Sequence, residues 1–140
     1  DLNINTEYSD RNPYRLYRPG METKVTDAVI SRFLVDGYLR VVSREDQADL
    51  ILSSALINFE KQPLRYDQLS QNVQEYRANI VVDMSLEDVA KSKNVWREKG
   101  FVGFFEYNQT GPNSVSEDTA VNNAIADLAK RIVERTVEDW

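Results

Sequence analysis

The chain has 140 residues, with Lys+Arg 17 against Asp+Glu 23 and neither histidine nor cysteine. Without those two residue types, Ser/His/Asp and Cys/His catalysis and the usual zinc, copper and iron ligand sets are excluded. A net charge of -6 argues against nucleic acid, and no apolar run approaches the length of a membrane span.

One domain around one hydrophobic core is the expectation at this length, and the 41% apolar content can fill it. Asp1 to Asn5 reads as the tail of a first strand, because Leu2 and Ile4 alternate with polar residues. Thr6 to Gly20, with two prolines and three tyrosines, shows neither period and reads as a loop. Val25, Ala28, Val29 and Phe33 recur at three and four residues and predict an amphipathic helix from Met21, ended by Gly37.

Leu39 to Ser43 is a short β-rich run. Asp49 to Lys61 is apolar at both alternating sets of positions, as for a central strand covered on both sides and stopped by Pro63. Tyr76, Ala78, Ile80, Val82, Met84 and Leu86 alternate with polar residues, broken only by Val81, and form the clearest strand. Val95 to Tyr107 is an aromatic-rich strand in which Gly100 and Gly103 suggest a bulge or a bend. Ser114 to Trp140 reads as the second helix, with a capping box at Ser114 and Glu117 and an apolar stripe from Val121 to Val133. The order β-α-β-β-β-β-α predicts an α+β sandwich, two helices on one face of a four- to five-stranded, mainly antiparallel sheet.

No glycine pattern cradles a phosphate, and no cofactor is indicated. Asp83, Glu87 and Asp88, and Glu45, Asp46 and Asp49, are the carboxylate clusters. They fit solubilising charge, or an enzyme that works with carboxylates alone. Lys91, Lys93, Arg97 and Lys99 around the last hairpin, with Lys61 and Arg65 beside the preceding loop, are candidates for one cationic patch that receives an anionic ligand. The alternative is a solvated hairpin whose lysines discourage edge-to-edge pairing. Arg11, Tyr14, Arg15, Tyr17 and Arg18, together with Tyr8, have the Arg/Tyr composition of a partner surface, or form a loop that packs its own rings.

The Pro-Gly before the first helix, FLVDGYLRVVSREDQADLIL, KQPLRYDQLSQNVQEYR, the strand near Val95-Trp96 and the closing SEDTAVNNAIADLAKRIVERTVEDW together resemble the lipopolysaccharide-assembly lipoprotein family LptE, from about Pro19 to Trp140. The resemblance implies a lipoprotein on the periplasmic side of the outer membrane. Such a protein seats inside an LptD-like β-barrel and helps to deliver lipopolysaccharide to the cell surface. It also implies a lipid anchor on an N-terminal cysteine, to be sought upstream of Asp1, since this chain has none. A second reading keeps the envelope location and makes the chain a regulator of a cell-wall synthase or a secretion complex.

Overall fold

The structure, a computed structural model, describes residues 1–8 and 20–138, with 6–8 described by backbone alone. Four strands, Leu2–Tyr8 (β1), Leu50–Tyr66 (β2), Val73–Asp88 (β3) and Lys93–Asn108 (β4), form one sheet in the order β1-β2-β3-β4. β1 lies parallel to β2, while β2–β3 and β3–β4 are antiparallel. Helices Met21–Asp36 (α1) and Glu117–Val137 (α2) cover one face of it. The expected α+β architecture is therefore present, with four strands.

The alternation along β3 decides which face is covered. Ala78, Ile80, Val82, Met84 and Leu86 are buried, and so are Phe59, Leu56 and Leu52 opposite Ile80, Val82 and Leu86 on β2, and Trp96 opposite Leu86 on β4. Met21, Val25, Val29 and Phe33 close the core from α1, and Val121, Ala124, Ile125, Leu128, Ile132 and Val133 from α2. Ala28 is only half-buried. α1 ends where Gly37, at φ 72, takes the left-handed conformation and donates its N–H to the Phe33 carbonyl.

Several boundaries differ from the sequence expectation, each for a tertiary reason. β1 continues through Thr6–Tyr8, since Ser54, Ala55 and Leu56 of β2 offer those residues a partner. Leu39 to Ser43 is not a fifth strand. It makes one parallel bridge, Leu2 to Val41, in which Leu2 donates to the Arg40 carbonyl at 2.7 Å and Val42 donates to the Leu2 carbonyl at 2.9 Å. β2 passes through Pro63, which sits beyond the last residue paired to β1, Leu56, and beside a register shift, where a missing N–H leaves no gap in a two-sided ladder. β2 is also covered on one side only: Leu50, Leu52, Ser54 and Leu56 are buried, while Ile51, Ser53, Ala55 and Ile57 are half-buried on a face without helices.

The cap of α2 is Ser116, not Ser114. Ser116 Oγ accepts from the Thr119 N–H at 3.1 Å. Ser114 instead bridges to Asn108, and the Asn108 carbonyl accepts from Val115 at 3.1 Å, tying the edge of β4 to the start of the helix. Glu117, freed from the expected box, forms an ion pair with Lys61 at 3.3 Å.

Candidate functional site

The six basic candidates fall into two groups at different levels of the sheet. Lys61 stands opposite Ala78 and Lys93 opposite Asp88, so the span of β3 between them is roughly 30 Å at about 3.3 Å per residue. Lys61 and Arg65 already have partners. Lys61 pairs with Glu117 and lies 4.2 Å from the Tyr76 ring centroid, and Arg65 lies 3.8 Å from Glu75.

Lys91, Lys93, Arg97 and Lys99 are different. All four are exposed on the β3–β4 hairpin, and none forms an ion pair with a described residue. The exposed apolar side chains of Val89 and Val95 stand among them. On a chain of net charge -6, these four cations thus lack a carboxylate partner among the described residues.

The conformation of β4 holds these cations in place. Between Val82 and Met84 of β3 the register shifts, so that Lys99 and Gly100 form a bulge opposite Asp83. Gly100 takes φ 65, and its N–H donates to Asp83 Oδ1 at 2.9 Å. Three residues on, Gly103 serves a different need: a Cβ there would lie 2.3 Å from that of Leu128, so the bare backbone lets α2 rest on β4. At the edge, Asp127 of α2 accepts the Phe104 N–H at 2.9 Å and an Arg131 N–H at 2.8 Å. The Arg131 and Arg77 guanidinium carbons stand 4.9 and 4.8 Å from the Phe104 ring centroid.

On the face without helices lies a hollow of about 360 Å³, lined among others by Asn5, Ser53, Ala55, Asp83, Ser85, Arg97 and Lys99. The cations of this hollow were visible in the sequence. Its floor was not, because Asn5, Ser53 and Ser85 are ordinary polar residues until three strands are aligned.

The carboxylates do not converge. Asp83 and Glu87 are four residues apart on one strand, about 13 Å at strand rise. Asp83 is engaged by Gly100, Asp88 accepts the Lys91 N–H at 3.3 Å, Asp46 pairs with Arg44 at 2.6 Å, and Asp49 with the N-terminal amine at 3.2 Å. Among the described residues no group of three or more Asp or Glu is placed to hold a metal ion. Arg11, Tyr14, Arg15, Tyr17 and Arg18 lie outside the described residues.

The described residues form a two-layer α+β sandwich in which helices cover one face of the sheet and four hairpin cations have no ion pair among the described residues. The sequence pattern of the LptE family, described as lipopolysaccharide-assembly, matches residues 6–138, and the chain belongs to that family. No curated protein sequence matches it. Among solved structures it is similar to an uncharacterized lipoprotein B from Nitrosomonas europaea, with 15% identity, 97% of this chain and 81% of that chain covered, and a TM-score of 0.63. It is similar also to the rare lipoprotein B from Shewanella oneidensis, with 16% identity, 98% and 95% covered, and a TM-score of 0.54. A minor lipoprotein from Acinetobacter baumannii shares 11% identity over 98% of this chain and 93% of that chain, with a TM-score of 0.55. At these identities the likeness is one of fold.

Proposed function

We propose that this protein is a non-catalytic lipoprotein subunit at the periplasmic face of the outer membrane, where it assembles with an LptD-like β-barrel and helps deliver lipopolysaccharide to the cell surface. Family membership gives the process. The observation that carries the reading locally is the set of four cations, Lys91, Lys93, Arg97 and Lys99, on one hairpin without an ion pair to any described residue, with Val89 and Val95 exposed beside them. Cations flanked by apolar side chains match an anionic amphiphile, whose phosphates and acyl chains need both. Lys61 and Arg65 contribute less, since each already faces a glutamate.

The spacing of Asp83 and Glu87, about 13 Å apart on one strand, supports binding over catalysis. Replacement of Glu87 alone leaves function intact on this reading. The test is to express the full-length precursor in its source cell, fractionate the envelope and purify the tagged protein. Recovery in the outer membrane together with a large β-barrel is the expected result. Recovery with a cell-wall synthase or a secretion complex, or absence from the outer membrane, overturns the proposal.

A further inference from the structure

We infer that the hollow on the sheet face opposite the helices is a binding site for a phosphorylated saccharide, with Arg97 and Lys99 on the phosphate and the side chains of Asn5, Ser53, Ser85 and Asp83 on the sugar. The inference rests on the reading of this chain as a lipopolysaccharide-assembly protein and adds the part of the ligand that is recognised and the residues that recognise it.

The register carries the argument. Asn5 stands opposite Ser53, Ser53 opposite Ser85, and Ser85 opposite Arg97. Residues directly opposite one another share a face, so these four side chains form one transverse row across all four strands, roughly 15 Å long at about 5 Å per step. The next row along the sheet sets Ala55 beside Asp83, with Lys99 at the bulge. Short side chains in the middle of both rows leave the hollow of about 360 Å³, and the two cations stand at one side of it.

Its chemistry is mixed in a particular way. The hydroxyls of Ser53 and Ser85, the Asn5 amide and the Lys99 ammonium have no hydrogen-bond partner among the described residues. Asp83 accepts one backbone N–H through Oδ1, and a carboxylate has further lone pairs for a sugar hydroxyl. A site for phosphate alone needs donors only, and an acyl chain needs neither hydroxyls nor a carboxylate. Donors and an acceptor on a small-residue floor, with cations at one end, suit a sugar that carries a phosphate. The Gly100 N–H contact to Asp83 fixes the bulge, and with it the position of Lys99 relative to the floor.

Titration of the labelled protein with glucosamine 1-phosphate, followed by amide shifts in two-dimensional NMR, tests this. Shifts at Ser53, Ser85 and Arg97 are expected, weaker ones with inorganic phosphate, and none at Ser53 or Ser85 with unphosphorylated N-acetylglucosamine. The double variant Ser53→Val and Ser85→Val keeps β-compatible side chains and every cation, and should bind glucosamine 1-phosphate about tenfold more weakly, as loss of two hydrogen-bonding groups implies. Arg97→Gln, at an exposed position, gives a second measure if the double variant melts early. Unchanged binding in both variants, or wild-type shifts confined to Lys91 and Lys93, overturns the inference. Lipopolysaccharide vesicles form the other arm. If wild type binds them and the double variant binds them equally well, the hollow is excluded while the proposed function stands. If wild type does not bind them at all, the proposed function falls, and the sugar phosphate titration still decides the hollow.

Discussion

Gly103 shows how a single missing Cβ fixes the approach of two elements. Leu128 Cβ and Cα lie 2.3 and 2.4 Å from where a methyl group would stand, and neither is the end of a flexible chain. Gly103→Ala should therefore force α2 off β4 and cost about 2 kcal/mol or more, read as a lower denaturant midpoint. Gly100→Ala, where the space is open but φ is 65, should cost about 1 kcal/mol by strain alone. Asp67 governs the other hairpin. Its carboxylate accepts the Leu69 N–H at 2.8 Å and the Ser70 N–H at 3.3 Å, and these two bonds, Leu69 first, hold its pKa below the ordinary 3.8, helped by Gln74 and opposed by desolvation. A depressed carboxylate stabilises the fold above its unfolded pKa, and that contribution is lost as pH falls through the lower folded value. The amide shifts of Leu69 and Ser70 should accordingly titrate together below pH 3.8 and stay flat in Asp67→Asn.

At the scale of elements, the two serines before α2 make separable claims. Ser116→Ala removes the acceptor of the Thr119 N–H and should lower stability by about 1 kcal/mol in thermal or chemical unfolding. Ser114→Ala, whose backbone rather than side chain makes the bridge to Asn108, should change it by less than half as much. An equal effect of both would restore the capping box read from the sequence. The C-terminal end of α2 is held to β4 by Arg135, which donates to Glu98 at 2.8 Å and to Glu138 at 2.9 Å and lies 4.6 Å from the Trp96 ring centroid. The edge of β4 is thus closed in part by α2 and the segment before it, through Asp127 on Phe104, Val115 on Asn108 and Arg135 on Glu98. Such closure discourages another strand from pairing there.

For the whole molecule, the distribution of charge matters more than its sum. Carboxylates pair with Arg40, Arg44, Lys61, Arg65, Arg77, Arg131 and Arg135, while the hairpin cations have no carboxylate partner among the described residues. Replacing Lys91, Lys93, Arg97 and Lys99 together by neutral residues should weaken binding to lipopolysaccharide vesicles by about tenfold or more, each exposed contact contributing on the order of 0.5 kcal/mol. Wild-type binding should fall as salt shortens the screening length from about 10 Å at 0.1 M to about 3 Å at 1 M. A salt-insensitive quadruple variant with unchanged affinity would place the lipopolysaccharide contact elsewhere. The exposed Leu69 and Tyr66 lie at the opposite end of β3 from this hairpin, so the two ends of the long sheet present different chemistry.

The sequence by itself determined the elements whose period is local: the stripe of α1, the alternation of β3, the stripe of α2, and the family resemblance that the match over residues 6–138 bears out. Each such residue announces its burial through neighbours two, three or four positions away. It also supplied the cations of the hairpin. Only the tertiary structure decided that β1 runs through Tyr8, that Leu39 to Ser43 adds a bridge and no strand, that Pro63 lies inside β2, and that both helices take the same face of the sheet. It also joined Asn5, Ser53, Ser85 and Arg97 into one row, and it separated Lys61 and Arg65 from the hairpin. These are properties of pairing between segments far apart in the chain, and a residue carries no local mark of the strand that will lie beside it.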